Sequence, residues 1–349
     1  MDHKPVLPII FGIPGLKIEK EWADFFQRVS PFGFILFARN LKEPKQIKRL
    51  VQQFHEVCDR DEVAILIDEE GGRVQRLPQP NWIKYPAAKS LVDEGGKENE
   101  ITKRIGQNYF DLGQGLQELG ITVNAAPVAD LWIPEAHDVI GDRAFASQPE
   151  EVATYARACA DGLGQAGVIP TVKHLPGYGR ASVDPHHELP VVRESENILM
   201  ESDFLPFKLL ADLPWGMTSH LLFPALDEQW PATLSEKIIG RIIRKWIGFD
   251  GLLVTDCLFM EALSGSIPER VQRCLTSGCD VALHSHGELV DLERAVEGLQ
   301  PINDLSWERW ESTQVQRVRS ACQVWRWHMP FYVHNVPAIS CENRKVREG

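Results

Sequence analysis

Short apolar runs, rich in branched residues, alternate along the chain with amphipathic segments of helical period. This alternation is typical of parallel β/α units, in which the strands are buried on both faces and each helix covers the sheet with one apolar side. The runs predict eight strands, over residues 7–11, 33–37, 63–67, 122–126, 169–173, 215–219, 251–255 and 280–284. The clearest predicted helices lie between them, over residues 43–58, 100–119, 150–166, 235–246 and 288–299.

The number and order of these elements predict a single (β/α)8 TIM barrel with a C-terminal helical extension. We assign residues 1–300 to a TIM-barrel catalytic domain, and residues 301–349 to a C-terminal helix and tail packed on the barrel. Trp307 and Trp310 begin a series of apolar residues at near-helical spacing, which supports this helix. An open doubly wound sheet is the alternative, but no glycine-rich dinucleotide or P-loop motif follows a predicted strand.

Composition and charge narrow the classes of protein that fit. The chain has 349 residues, of which 44% are hydrophobic and 25% charged, a composition typical of globular domains. A net charge of -12 argues against a nucleic acid partner and against a polybasic membrane contact. The apolar run over residues 6–15 lacks the features of a signal peptide, and the seven cysteines are scattered, mostly in apolar segments. We therefore expect a cytoplasmic protein with reduced thiols.

Polar residues gather where the predicted strands end. They are residues 68–76 after strand three, 124–130 and 141–143 after strand four, 173–174 at the end of strand five, 184–187 in the following loop, 219–220 after strand six, 256 after strand seven and 284–286 after strand eight. In a TIM barrel the carboxyl ends of all strands meet on one rim, so these side chains are expected to lie together. Each has an ordinary structural explanation when taken alone, such as an aspartate that caps the next helix. Their convergence on one rim favours a catalytic site.

Metal-dependent chemistry and acyl transfer are both disfavoured. There is no H-E-x-x-H motif, and neither the histidine pair at 186 and 187 nor the pair at 284 and 286 comes with a clear acidic partner. The G-x-S-x-G elbow of serine hydrolases is absent. Asp256 beside Cys257 should raise the thiol pKa, which is the wrong direction for a nucleophile. We predict neither a metal nor a cofactor, and we interpret Cys257 as a packing residue.

Three segments resemble the β-N-acetylhexosaminidases of glycoside hydrolase family 3, of the NagZ type. They are residues 67–76, residues 173–179 with 184–186, and residues 248–256, and weaker similarity joins them over roughly residues 5–300. The resemblance implies that Asp256 attacks the anomeric carbon and forms a covalent glycosyl-enzyme, with retention of configuration. It also implies that His186 is the general acid and base, and that Asp184 holds its imidazole and favours the charged form.

The same resemblance implies that five residues bind the sugar: Asp68, Arg76, Arg143, Lys173 and His174. Charge-assisted hydrogen bonds from such groups to hydroxyl and N-acetyl groups are strong. The chain departs from the family pattern at three positions near the expected site, which are Tyr178, Pro185 and Cys257. The fixed φ of Pro185 is expected to stiffen the catalytic loop and to change how often His186 reaches the site. We therefore expect an altered reaction rate and no loss of a reacting atom.

The expected activity is that of a retaining exo-β-N-acetylglucosaminidase, a glycoside hydrolase that acts on muropeptide fragments during cell-wall recycling in the cytoplasm. Its partner is then a small glycan that contains N-acetylglucosamine, with no nucleic acid or membrane partner, and we expect a monomer. Two alternatives stay open. One is a phosphorylase, because a neutral or cationic acid/base tolerates a phosphate acceptor that a carboxylate would repel. The other is a catalytically silent sugar-binding relative, because the catalytic loop is altered.

Overall fold

Eight parallel strands close into a barrel. The computed structural model describes residues 5–181, 183 and 188–328 of the chain, and its barrel strands are β1 (Leu7–Gly12), β2 (Pro31–Leu36), β3 (Ala64–Ile67), β4 (Val123–Asn124), β5 (Ile169–Leu175), β6 (Trp215–Thr218), β7 (Leu252–Cys257) and β8 (Val281–His284). Each strand pairs with the next along the chain, and β8 closes the barrel against β1, where Leu283 lies opposite Ile10. The predicted TIM barrel is confirmed, and an open doubly wound sheet is excluded.

Helices surround the barrel. Within the described residues they are α1 (Lys20–Val29), α2 (Pro44–Cys58), α3 (Ala88–Asp93), α4 (Glu98–Glu118), α5 (Pro149–Gln165), α6 (Glu196–Glu201), α7 (Leu205–Leu209), a π-helix (Ile238–Ile247), α8 (Ile267–Thr276), α9 (Leu289–Ala295) and α10 (Asp304–His328). In α2, Pro44 stands in the first turn, and Ile47, Leu50 and Phe54 lie on one buried face, where Phe54 stacks on Phe34 of β2. In this part of the chain no helix combines the length and the apolar character needed to span a membrane.

The predicted helices agree with the structure except in two details. Three of them are confirmed as α2, α4 and α5. The helix predicted over residues 235–246 is present, but it is a π-helix. The prediction could not specify this, because apolar periodicity over so short a segment does not distinguish an α-helix from a π-helix. The helix predicted over residues 288–299 ends earlier, at Ala295, and the chain then turns at Gly298, whose φ of 73° glycine adopts without strain.

Alternate side chains of the strands enter two separate apolar cores. In β1, Ile9 and Phe11 pack with residues of the surrounding helices, whereas Ile10 belongs to the core inside the barrel. This follows from the period of two residues in a β-strand. Large side chains such as Phe32 and Trp215 fill the barrel interior, so the barrel is a packed frame that holds the loops at its strand ends.

The start of helix α10 covers the amino end of the barrel. Trp310 is 1% exposed, and its ring centroid lies 5.0 Å from that of Phe32 and 5.8 Å from that of Trp215. Next to it, Arg309 donates hydrogen bonds to carboxylate oxygens of Asp280 at 2.9 Å and Asp250 at 2.7 Å. The division of the chain at residue 300 stays a prediction, and the part of it that concerns residues 329–349 lies outside the described residues.

Trp310→Ala is expected to lower the free energy of unfolding by about 3–5 kcal/mol, because it leaves a cavity at the closed end of the barrel. Trp307→Ala is the matched control, since Trp307 lies on the same helix but is only partly buried; its expected cost is about 1 kcal/mol. Urea unfolding of the three proteins measures both effects. An equal loss in the two variants would contradict the view that Trp310 closes the barrel.

Candidate active site

A cavity of about 530 Å³ opens where the strands end at their carboxyl side. Six of the predicted site residues line it together: Asp68, Arg76, Arg143, Lys173, His174 and Asp256. Asp184 and His186, the other two predicted site residues, lie outside the described residues. The structure therefore brings together side chains from the ends of β5 and β7, from the segment that follows β3 and from the loop before α5.

Lys173 is the centre of a buried charge cluster. Its side chain is 2% exposed, and its Nζ lies 2.9 Å from Oδ1 of Asp68 and 2.6 Å from Oε1 of Glu70. Glu70 also accepts two hydrogen bonds from the guanidinium of Arg143, each at 2.9 Å. Such a forked pair is geometrically specific as well as strong. Two carboxylates after β3 are thus held by cations from β5 and from the loop before α5.

Opposite charges keep this cluster ionised. Burial alone would raise the pKa of Glu70, but Arg143 and Lys173 outweigh burial and lower that pKa to about 2. Against the effect of burial, Lys173 and Arg76 lower the pKa of Asp68 as well. Burial opposes the charge on Lys173, and its two carboxylate neighbours outweigh it and raise the pKa of the ammonium group. Near neutral pH the cluster therefore offers fixed carboxylate acceptors and fixed cationic donors.

Two glycines shape the loop that follows β3. Gly71 and Gly72 have φ values of 90° and 59°, in the left-handed region that favours glycine. A Cβ atom on Gly71 would collide with the carbonyl oxygen of Pro86, and one on Gly72 would collide with the side chain of Ala87. The loop can turn this tightly only with glycine at both positions.

A buried carboxylate holds the far end of the same loop. Glu69 is 0% exposed, and its Oε2 accepts hydrogen bonds from the backbone N–H of Arg76 at 2.7 Å and of Leu77 at 3.2 Å. The chain is folded back in this way, and Nη2 of Arg76 lies 3.4 Å from Oδ2 of Asp68. Glu69 therefore positions Arg76 beside the charge cluster.

His174 is held by a buried aspartate. Its Nδ1 lies 2.7 Å from Oδ2 of Asp130, and Oδ1 of Asp130 accepts the backbone N–H of His174 at 3.2 Å and of Tyr178 at 2.7 Å. Because an ionised carboxylate only accepts, the hydrogen of the imidazole is assigned to Nδ1. Asp130 thus fixes both the ring of His174 and the start of the loop that follows β5.

Asp256 lies near the end of β7 and lines the cavity from there. Its Oδ1 accepts a hydrogen bond from the backbone N–H of Cys257 at 2.7 Å. Behind it, Nε2 of the buried His220 lies 3.0 Å from the carbonyl oxygen of Cys257. Burial lowers the pKa of His220, and the charge of Asp256 opposes this shift. Among the described residues, Oδ2 of Asp256 has no hydrogen-bond donor, so one oxygen is anchored by the backbone while the other has none there.

The similarity of this chain to known proteins extends over most of its length. The model of the glycosyl hydrolase family 3 N terminal domain matches residues 11–320. The chain belongs to glycosyl hydrolase family 3. The curated β-hexosaminidase of Bordetella avium is 33% identical over 291 residues, which are 81% of this chain and 82% of that protein. The β-hexosaminidase of Alkalilimnicola ehrlichii is 33% identical over 305 residues, 85% of this chain and 86% of that protein.

A solved structure of the same family supports both fold and class. The crystal structure of NagZ from Neisseria gonorrhoeae in complex with N-trifluoroacetyl-D-glucosamine matches with a TM-score of 0.80 at 28% identity, over 93% of this chain and 100% of that chain. The predicted resemblance to family 3 β-N-acetylhexosaminidases is confirmed. The prediction that the chain is a glycoside hydrolase of this type is confirmed with it.

Two acidic residues of the candidate site, Glu70 and Asp130, are among the polar residues predicted near strand ends, but the sequence assigns neither a role nor a partner to them. Glu70 belongs to the acidic run after β3, but nothing in the sequence links it to Arg143, 73 residues further along. Asp130 lies 44 residues before its partner His174. The signal that could indicate their role is a shared rim: each is an acidic residue near a strand end, on the rim where the family resemblance places Arg143 and His174 as sugar-binding residues.

Two sequence-based expectations are refined by the structure. His284 ends β8 but does not line the cavity; its ring contacts those of Phe11 and Phe259, and burial lowers its pKa to about 4. The prediction that the polar residues at strand ends meet at one site is therefore wrong for His284. The pKa of Cys257 is raised as expected, with burial as the largest cause and Asp256 as an additional one. In the described part of the chain, no group of three or more His, Cys, Asp or Glu side chains is arranged to hold a metal ion.

Glu69→Gln tests the buried carboxylate that positions Arg76. Burial raises the pKa of Glu69 from 4.5 to about 7, against the backbone hydrogen bonds that favour the ionised form. Between these two pH values the carboxyl group of Glu69 stays protonated in the folded protein, whereas it is ionised in the unfolded chain. The free energy of unfolding should therefore fall as the pH rises from about 4.5 to about 7, by on the order of 3 kcal/mol, and this loss is absent from the Glu69→Gln variant.

Urea unfolding at a series of pH values measures this difference. Relative to the unsubstituted protein, Glu69→Gln is expected to become steadily more stable across that pH range, whereas Glu118→Gln, at an exposed position on α4, should follow the unsubstituted protein. A stability difference that stays constant with pH would contradict the raised pKa of Glu69.

Proposed function

We propose that this chain is a retaining exo-β-N-acetylglucosaminidase that works through a covalent glycosyl-enzyme. One observation carries the proposal: the carboxylate of Asp256 and the charge cluster of Asp68, Glu70, Arg143 and Lys173 line the same cavity. A cavity of about 530 Å³ has the size of a small-ligand site. A sugar bound by the cluster would thus lie within the space that the carboxylate of Asp256 also reaches.

The charge cluster suits the hydroxyl groups of a terminal sugar. Carboxylate oxygens of Asp68 and Glu70 accept hydrogen bonds from hydroxyl groups, and Lys173, Arg143 and Arg76 donate to hydroxyl or carbonyl oxygens. Because the charges are already paired within the protein, no isolated charge is left buried when the site is empty. The choice of N-acetylglucosamine is supported by the NagZ relative, which was solved with an N-acylated glucosamine.

The proposed reaction has two displacements. Asp256 attacks the anomeric carbon while the bond to the leaving oxygen breaks, and His186 gives its proton to that oxygen. Water then attacks the glycosyl-enzyme, His186 takes a proton from the water, and Asp256 leaves as a carboxylate. Asp184 holds the imidazole of His186 and stabilises its charged form. The roles of Asp184 and His186 come from the family resemblance, whereas Asp256 is supported also by its position at the cavity.

The physiological setting is part of the same proposal. The family resemblance suggests that the substrates are muropeptide fragments released in cell-wall recycling, and that the protein acts as a monomer in the cytoplasm. The thiols of Cys159, Cys274 and Cys279 are buried in the fold, which fits a reducing compartment. No cofactor or metal has a part in the proposed reaction.

Asp256→Asn and His186→Ala should each lower turnover of an aryl β-N-acetylglucosaminide by at least about a thousandfold, because the first removes the nucleophile and the second the base that activates water. Asp93→Asn, at an exposed position on α3, is the control and should keep full activity. Release of nitrophenol measures turnover, and circular dichroism checks that each variant is folded.

The products of the same assay test the reaction type. We expect free N-acetylglucosamine whether or not inorganic phosphate is present. Formation of the sugar 1-phosphate would show that the protein is a phosphorylase and not a hydrolase. Unchanged turnover in Asp256→Asn or His186→Ala would contradict the assigned roles, and no turnover by the unsubstituted protein would favour a silent sugar-binding relative.

A further inference from the structure

The cavity carries an exposed aromatic side chain close to Asp256. Phe259 follows Asp256 by three residues, lines the same cavity and is 47% exposed. Most aromatic rings of the described residues are buried in the cores, whereas Phe259 lines the cavity, and aromatic side chains are common in the lining of ligand sites. The ring is not needed by the charge cluster, which binds through polar groups.

Phe259 belongs to a row of rings that starts at the charge cluster. Its ring lies against that of His286, with centroids 5.6 Å apart and an interplanar angle of 28°, and His286 lies 5.6 Å from Phe37. The guanidinium of Arg76 in turn lies over Phe37 at 5.6 Å, and its Nη2 lies 3.4 Å from Oδ2 of Asp68. The row of Phe37, His286 and Phe259 thus continues the cavity from the polar cluster towards solvent.

The middle ring of the row is fixed in place. Nδ1 of His286 lies 2.6 Å from Oγ of Ser285, and Nε2 lies 3.4 Å from Nη1 of Arg39. Because arginine only donates, Nε2 is the acceptor and Nδ1 carries the hydrogen that it donates to Ser285. Arg39 is itself anchored by the carbonyl oxygen of Ser285 at 2.6 Å. A ring held from both nitrogens offers a preformed surface, which costs little ordering on binding.

We propose that Phe259, His286 and Phe37 form a subsite for the leaving-group sugar, which stacks the apolar C–H face of its ring on Phe259. The inference rests on the proposed glycosidase function and adds where the second ring of the substrate binds. The polar groups that can fix a sugar firmly lie in the charge cluster and suit the ring that is transferred to Asp256. The aromatic row offers contact area with few hydrogen bonds, which suits a product that must depart after the first displacement.

Two substrates separate this subsite from the catalytic machinery. In N,N′-diacetylchitobiose the leaving group is a sugar ring, whereas in N-acetyl-β-glucosaminyl fluoride it is a single atom that cannot stack. For Phe259→Ala we expect kcat/KM to fall about tenfold on the disaccharide and by less than about twofold on the fluoride. Phe259→Tyr keeps a ring and should retain both values. Val290→Ala removes an equally exposed apolar side chain on α9, away from the cavity, and should also retain both.

Each outcome has a separate meaning. A selective loss on the disaccharide in Phe259→Ala, restored in Phe259→Tyr, supports the subsite. Equal loss on both substrates, or no loss on either, would overturn the subsite while leaving the glycosidase function intact. Failure of the unsubstituted protein to hydrolyse either substrate would overturn the proposed function, and the subsite with it.

Discussion

The structure of the site depends on one buried cation, the ammonium group of Lys173, held between Asp68 and Glu70. Removing charges from water is costly unless each is paired and hydrogen-bonded, so an arrangement that separated these residues would leave an uncompensated charge in the protein. The pairing fixes the loop after β3 against the end of β5, and Arg143 ties the loop before α5 to the same point. These ion pairs fix the polar side of the cavity. The hydrogen bonds of Glu69 and the tight turn at Gly71 and Gly72 hold the loop after β3 in the same position.

The barrel places three groups of side chains, each with a different role in the proposed reaction, around one cavity. Apolar side chains fill the barrel interior and hold the strand ends in place, so polar side chains at those ends can face the cavity. Paired charges lie at the end of β5 and in the segment after β3, Asp256 lies at the end of β7, and aromatic rings extend from the charges towards solvent. In the proposed reaction these three parts bind the transferred sugar, attack it, and receive the departing ring. The side chains that would bind and attack the sugar lie at strand ends and in the adjoining loops, and the packed barrel fixes their positions.

Much of the fold can be predicted from the sequence because strands buried on both faces read as apolar runs, and eight such runs leave few other architectures. The ends of elements are less predictable: β4 is paired only at Val123–Asn124, within the longer apolar segment that predicts it. In the site, motifs identify as candidates the six residues that line the cavity together, which are Asp68, Arg76, Arg143, Lys173, His174 and Asp256. They do not identify which side chains pair with one another, because Glu70 with Arg143 and Phe259 with His286 meet only through the closed barrel, across long separations in the chain.

The central claim is that the charge cluster and Asp256 hold a single sugar between them. The most direct measurement is a crystal structure of the Asp256→Asn variant with bound N-acetylglucosamine. The account predicts that the anomeric carbon faces position 256, that the ring hydroxyls contact Asp68, Lys173 and Arg143, and that the O1 side points towards Phe259. Sugar bound away from this cavity, or with its anomeric carbon turned from position 256 towards the charge cluster, would contradict it.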